Sequence, residues 1–234
     1  MYALLDCNNF FVSCERTLDE SLEGKPVVVL SNNDGCVVSR SEEAKKLGIP
    51  MGAPAFKYKE LFQKENVKSF SAKFELYNYK SQRVIEISTS YVDKADFEVY
   101  SIDELFLDLT SFKYVNICDY CLSIRNEILE KEKIPVSVGI APTKTLCKVA
   151  NRIVKKFPLQ FEGVYILDTP QKIEKALKWL DIEDVWGIGR RLAVKMRDNG
   201  VYKAWDLLSK PEMWVRKIMG INRKKIINEL KEIR

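Results

Sequence analysis

The chain has 234 residues, 38 Lys plus Arg against 33 Asp plus Glu, and no histidine, for a formal charge of +5. The missing histidines exclude a Ser-His-Asp or Cys-His nucleophile, a His-ligated zinc or haem and an imidazole general base, so any catalysis runs on carboxylates, lysines, hydroxyls, thiols or bound metal ions. Hydrophobic content of 46% with 30% charged residues excludes a disordered chain, and the length suits one large domain or two smaller ones.

Tyr2 to Asp6 reads as a short buried strand, followed by a helix from about Asn9. No stretch approaches the roughly 18 uninterrupted apolar residues of a membrane span. The apolar N-terminus carries Asp6 with no basic residue ahead of it, the wrong order for a signal peptide. The expectation is a cytoplasmic protein. Cys7, Cys14, Cys36, Cys118, Cys121 and Cys147 follow no framework spacing and read as free thiols. Cys118-x-x-Cys121 has no second pair, and it sits in a helix-like run.

Pro26 to Leu30 is a second strand. The turn cluster Asn32-Asn33-Asp34-Gly35 and a hairpin partner over Cys36 to Ser39 follow it. Ser41 to Leu47 is helical and stops at Gly48 and Pro50. A mixed basic and aromatic stretch leads to a long helix over about Lys73 to Tyr91. Glu98 to Ile102 and Leu105 to Leu109 alternate in the strand period, with Asp103-Glu104 near their junction, and predict a hairpin. Then come a helix over Asn116 to Lys131, a strand over Pro135 to Ile140, a helix over Lys144 to Lys156 and a strand over Val164 to Leu167. Strands and helices thus alternate around one sheet up to a boundary near residues 166 to 170. Beyond Thr169-Pro170 only short helices remain, punctuated by Gly187, Gly189, Gly200 and Gly220.

Charge divides along the same boundary. Residues 1 to 165 hold 22 basic and 23 acidic residues, and residues 166 to 234 hold 16 and 10. A near-neutral body with a basic helical region suggests a polyanionic partner, or a solvated helical surface.

Asp6 ends an apolar strand, and Asp103 and Glu104 sit at the tip of an otherwise apolar hairpin. Carboxylates in such places are usually paired or bound to a cation, and neighbouring ones repel unless a divalent metal relieves them. Two such cations would support phosphoryl transfer. The alternative is that Asp6 caps the next helix and Asp103-Glu104 simply make the turn. Lys144, Lys148, Arg152 and Lys155 put four cations on one helix face, opposite Leu146, Val149 and Ile153. That face is either solvated or a wall toward phosphates.

Three ordered segments resemble the signature motifs of the Y-family translesion DNA polymerases. They are Asp6-Cys7-Asn8-Asn9-Phe10-Phe11-Val12-Ser13-Cys14-Glu15, Ser101-Ile102-Asp103-Glu104, and Ser137 through Asn151. Asn32 to Val38 and Val185-Trp186-Gly187-Ile188-Gly189-Arg190 resemble the UmuC branch of that family, the catalytic subunit of bacterial DNA polymerase V. The likeness runs from residue 1 to about residue 230.

The resemblance implies an α+β fold: a palm with a mixed or antiparallel, ferredoxin-like sheet flanked by helices (residues 1–10 and 76–165), small fingers (11–75), and an all-helical thumb with a helix-hairpin-helix (166–234). The family's little finger is expected to be absent from these residues. Asp6, Asp103 and Glu104, with the Cys7 backbone carbonyl, would hold two Mg²⁺ (Mn²⁺ being possible). These would join a primer 3′-hydroxyl to an incoming deoxynucleoside triphosphate (dNTP), a reaction that needs no histidine. Asn8 stands where the family often has a second acid, and its neutral amide weakens a ligand role there. Phe11 matches the steric gate under the sugar, and Phe10 would line the same pocket. Lys155 or Lys156 matches the triphosphate lysine, and Ser39 and Lys45 match finger positions on the triphosphate, with Arg40 a further candidate. Glu42 replaces a frequent Tyr, and Lys45 a common Arg, which loses the bidentate fork.

Gly187, Gly189, Arg190, Arg191 and Lys195 would form a hairpin gripping DNA phosphates without reading sequence. Residues 219 to 225 would be a degenerate second copy. The implied partners are primer-template DNA, a UmuD-type subunit, the recombinase filament and the sliding clamp. No segment here matches the contacts to the last three. Two rivals stay open: a palm-type nucleotidyl cyclase, and a non-catalytic DNA-binding or scaffold protein of DNA repair.

Overall fold

A computed structural model describes residues 1–112, 115–220 and 224–231. Its strands are β1 (Tyr2–Cys7), β2 (Val27–Leu30), β3 (Val37–Arg40), β4 (Lys68–Ser71), β5 (Phe97–Val99), β6 (Glu104–Asp108), β7 (Val136–Ala141) and β8 (Val164–Ile166). The helices of the first two-thirds are α1 (Phe10–Leu18), α2 (Glu42–Lys46), α3 (Lys59–Lys64), α4 (Phe74–Thr89), α5 (Ile117–Glu132), α6 (Lys144–Lys156) and α7 (Pro158–Phe161). The rest is helical: α8 (Pro170–Trp179), α9 (Arg190–Arg197), α10 (Ala204–Leu208), α11 (Glu212–Met219) and α12 (Lys224–Lys231).

The fold is mixed α+β, but the expected single sheet is two. The larger has the order β5-β6-β1-β7-β8, antiparallel except for the β7–β8 pair. The smaller has the order β3-β2-β4, with β4 parallel to β2. The split follows from β2, whose four residues are all buried. Val27 and Val29 face the core of the larger sheet, whereas Val28 and Leu30 face a separate core with Val37, Ala44, Ile49, Ala53 and Val67. Strand β4 has no apolar alternation, since Lys68, Ser69 and Ser71 are exposed. Its pairing comes from the backbone of β2, so the side-chain period carries no sign of it. Helices α3 and α7, four to six residues long, were likewise unforeseen.

Alternation along β1 sends Ala3, Leu5 and Cys7 to one core and Leu4 to the other. The first core is closed by α1, α4 and α5. The second runs from Leu4 and Phe106 through the apolar face of α6 into the C-terminal helices without a break. Helix α6 begins at Thr143, whose Oγ1 accepts from the Leu146 N–H. It lies unusually close to β7. A Cβ on Gly139 would stand 2.3 Å from both the Asn151 nitrogen and the Cys147 oxygen, so only glycine permits the approach. Buried Asn151 then donates from Nδ2 to the Ser137 carbonyl at 2.8 Å. This seating brings the cationic face of α6 over the ends of β1 and β6.

All six cysteines are free, as the spacing predicts. Among the described residues, no helix is long and apolar enough to cross a membrane.

Candidate active site

Asp6 and Glu104 are directly opposed across the β1–β6 ladder. Asp103 precedes Glu104 in the turn, and its carbonyl accepts from the Cys7 N–H at 2.9 Å. The turn is closed by the Tyr100 and Ser101 N–H groups, which both donate to the Glu104 carbonyl. The Ser101 hydroxyl donates to Asp103 Oδ1 at 2.7 Å. The hairpin strand therefore starts at Glu104, one residue before the strand expected from the sequence.

Burial pushes the Asp6 carboxyl up to about 6; Lys155 opposes the rise, while Glu104 and Asp103 add to it. Burial pushes the Cys7 thiol well above its ordinary range. A neutral thiol is a poor metal ligand, which leaves the backbone carbonyl as the donor this residue can offer. Asn8 turns its amide oxygen to the Ser137 hydroxyl at 2.8 Å.

Each cation on the α6 face meets a carboxylate from a different element. Lys144 pairs with Glu98 of β5. Lys148 Nζ lies 2.5 Å from Glu104 Oε1, Arg152 Nη2 lies 2.5 Å from Asp184 Oδ2, and Lys155 Nζ lies 2.5 Å from Asp6 Oδ1. Among the described residues, no group of three His, Cys, Asp or Glu side chains is arranged to hold a metal ion. The ion pairs supply the physical reason. Two of the three acids are turned onto ammonium groups, which provide the countercharge that a divalent cation would bring. The donors themselves, three carboxylates at the ends of adjacent strands with a nearby backbone carbonyl, are the hard oxygens that Mg²⁺ and Mn²⁺ take.

A cavity of about 250 Å³ opens beside them, lined by Asp6, Cys7, Asn9, Phe10, Phe11, Val38, Ser39, Arg40, Lys45, Met51, Asp103 and Lys155. It gathers all but two of the residues assigned to metal and nucleotide. Glu104 lies behind the turn, in a narrow cleft with Leu5, Ser81 and Val84. Lys156 is exposed and lies outside the lining. Lys45 Nζ pairs with Glu42 Oε1 at 2.6 Å, and Asn9 Nδ2 donates to the same oxygen at 3.1 Å. Arg40 donates to the Ile49 carbonyl at 2.6 Å, while its buried Nε has no partner. A larger surface cavity of about 690 Å³, lined by Arg16, Glu20, Glu23, Glu130 and Lys133, is lined by none of these residues.

Support for Phe11 comes from residues that the sequence reading passed over. Its ring stacks on Tyr77 with centroids 4.5 Å apart and planes 14° apart, and meets Phe74 edge-on at 6.0 Å. Tyr77 is fully buried, and its hydroxyl donates to Glu15 Oε1 at 2.7 Å. Lys73 pairs with the other Glu15 oxygen at 2.7 Å. Glu15 is a buried carboxylate in an apolar helix, the same sequence signal that Asp6 carries.

In the helical region, Gly187 has φ +86° and a Cβ there would strike Ile226 at 2.7 Å. Gly189 caps α9. Arg190, Arg191 and Lys195 are exposed, with Lys195 reaching the Ile218 carbonyl at 3.5 Å. Of the expected second hairpin copy, residues 221–223 lie outside the described residues.

Comparison with known proteins shows which family the chain resembles. UmuC of Salmonella typhimurium (strain LT2) is 42% identical over 232 residues, covering 99% of this chain and 54% of that protein. The insertion ternary complex of Dbh DNA polymerase superposes with a TM-score of 0.84 at 32% identity, covering 98% of this chain and 66% of that one. A Y-family DNA polymerase chimera gives 0.83 at 32% identity with the same coverage. The chain spans about half the length of the curated relatives it matches. The impB/mucB/samB family model matches residues 5–152, a span that holds Asp6, Asp103, Glu104 and most of α6. On that match, the chain belongs to the impB/mucB/samB family.

Proposed function

We propose that the chain is the polymerase core of a UmuC-like enzyme. It would perform template-directed DNA synthesis past damaged bases, joining a dNTP to a primer 3′-hydroxyl. The observation that carries this reading is the single cavity that joins two of the carboxylates, a rigid aromatic floor and five polar or cationic side chains.

Asp6, Asp103 and Glu104, with the Cys7 carbonyl, would hold two Mg²⁺ or Mn²⁺ ions. Bound there, the metals would lower the charge cost of an attacking oxygen and a leaving phosphate. Lys155 then exchanges its contact with Asp6 for a phosphate oxygen of the nucleotide, a move of one flexible side chain within the cavity. Ser39, Lys45 and Arg40 line the far wall and would take the rest of the triphosphate. Lys156, exposed outside the cavity, is left without that part. The Phe11 ring, held by Tyr77 and Phe74, would lie under the sugar and exclude a ribose 2′-hydroxyl by volume.

The domain scheme of palm (1–10 and 76–165), fingers (11–75) and thumb (166–234) belongs to this proposal, as do the ferredoxin-like palm and the thumb's helix-hairpin-helix. The separate core of the β3-β2-β4 sheet supports a distinct fingers unit. Exposed Arg190, Arg191 and Lys195 beside Gly187 and Gly189 support a phosphate grip on primer-template DNA. A UmuD-type subunit, the recombinase filament and the sliding clamp are partners carried over from the resemblance alone.

Primer extension with Mg²⁺ and dNTPs, comparing the chain with Asp103→Ala, tests the reading. The expected result is extension that falls on the order of 10³-fold in the variant. Equal extension by both overturns the carboxylate assignment. DNA binding without extension by either favours a scaffold role, and DNA-independent turnover of nucleoside triphosphates favours a cyclase.

A further inference from the structure

We propose that Trp186 and Lys148 are positioning residues for Glu104, a proposal that rests on reading Glu104 as a metal-binding carboxylate. Lys148 contributes its ammonium 2.5 Å from Glu104 Oε1, and the pair is largely withdrawn from solvent, each side chain 17% exposed. Three aromatic rings surround that ammonium. Its Nζ lies 4.7 Å from the Tyr100 ring centre, 5.4 Å from Trp186 and 6.0 Å from Phe106. All three distances fall within the range over which a ring face attracts a cation. The rings brace one another, with Tyr100 edge-on to Trp186 at 5.4 Å and to Phe106 at 5.9 Å. Trp186 Nε1 donates to the Tyr100 hydroxyl at 3.3 Å.

These residues come from three places in the chain. Tyr100 and Phe106 flank the turn that carries Asp103 and Glu104. Lys148 belongs to α6. Trp186 belongs to the Gly187–Gly189 loop, more than 80 residues from the turn. The loop is fastened to α6 a second time, two residues earlier, by Arg152 and Asp184. A tryptophan serving only as packing would bury its faces against aliphatic groups. This one is half-buried, satisfies its N–H on Tyr100 and turns toward an ammonium. Its ring supplies the wall that keeps Lys148 from swinging into solvent, away from Glu104. With one Glu104 oxygen engaged by Lys148, the carboxylate keeps a fixed orientation and leaves its second oxygen for another partner.

A lysine held there is also a positive charge beside the carboxylates, and it opposes any divalent cation that approaches them. Removing it, or loosening it, lifts that repulsion and frees the Glu104 oxygen it holds, and both changes tighten metal binding. Binding of Mn²⁺ to the whole chain, followed by loss of the free-ion EPR signal, reads this without any need for turnover. Lys148→Met is expected to bind Mn²⁺ about fivefold more tightly than the unaltered chain. Trp186→Ala is expected to shift in the same direction, by about threefold, and Trp186→Phe, which keeps a ring face, to stay near the unaltered chain. The double variant Lys148→Met/Trp186→Ala should bind no more tightly than Lys148→Met alone, because Trp186 acts only through Lys148. Trp186→Leu keeps the apolar volume and replaces the alanine variant if that one fails to fold.

Unchanged Mn²⁺ affinity on loss of the Trp186 ring overturns the proposal, as does a double variant whose two shifts multiply. Asp103→Ala separates this from failure of the metal reading itself. If that variant binds Mn²⁺ as the unaltered chain does, the carboxylates are not the metal site and the proposal falls with that reading. If Asp103→Ala binds weakly and Trp186 has no effect, only the proposal falls.

Discussion

Two regions of the molecule carry positive charge in opposite ways. On α6, Lys144, Lys148, Arg152 and Lys155 are each matched to a carboxylate from another element. At the start of α9, Arg190 and Arg191 make no ion pair with any described residue and stand in solvent. From the sequence both regions read as possible polyanion sites, the α6 row by its spacing and the C-terminal region by its net positive charge. The structure separates them for a resting molecule. The α6 cations serve first to hold acids in place, and a phosphate can recruit them only by exchange. Arg190 and Arg191 are open to a phosphate backbone from the outset.

The sharpest way to break the comparison is to lift α6 off the sheet. Gly139→Ala drives a Cβ into the Asn151 and Cys147 backbone, which no side-chain rotation relieves. A loss of about 3 kcal/mol in denaturant unfolding is expected. An unchanged midpoint would mean that the close seating is not what registers α6 over Asp6 and Glu104.

Next in size is the aromatic floor of the cavity. Phe11→Ala should relax the preference for deoxyribonucleotides over ribonucleotides by about 10²-fold in single-nucleotide incorporation. Tyr77→Ala should give part of the same change, since it removes the ring on which Phe11 is stacked. Ribose discrimination that ignores both would separate the cavity from the sugar.

A smaller effect distinguishes paired acids from strained ones. The folded-state pKa of Asp6 is raised to about 6 from an ordinary 3.8. A raised carboxyl pKa means that the charged form costs stability above pH 6 and nothing below about pH 4. In metal-free buffer, Asp6→Asn should therefore be more stable than the unaltered chain by about 2 kcal/mol at pH 8. The advantage should shrink through pH 6 and vanish near pH 4, as thermal melts across that range would register. The absence of any pH-dependent advantage would show that the Lys155 pair already cancels the cost of burial.

Much of the site is legible from residue type and place. Asp6, Asp103 and Glu104 announce themselves as carboxylates in apolar strands, and the three-to-four-residue spacing puts Lys148 and Lys155 on one helix face. Their partners are another matter. Which acid faces which lysine depends on Gly139 setting the depth of α6, a tertiary distance that no local pattern encodes. Tyr77 behind Phe11 and Trp186 beside Lys148 are contacts between distant segments, and each residue taken alone reads as ordinary core. Strand β4 escapes for a different reason. Its exposed Lys68 and Ser69 show no strand period, and only β2 gives its backbone a partner.

The division of labour between the two charged regions is tested most directly by measuring dNTP affinity and DNA affinity separately in two variants. Lys155→Met should weaken dNTP affinity in single-turnover extension by about tenfold and leave DNA binding unchanged. Arg190→Ala/Arg191→Ala should weaken DNA binding, lower the slope of affinity against salt by about 2, and leave dNTP affinity unchanged. The opposite assignment, with Lys155 governing DNA affinity or the arginine pair governing dNTP affinity, would contradict the account.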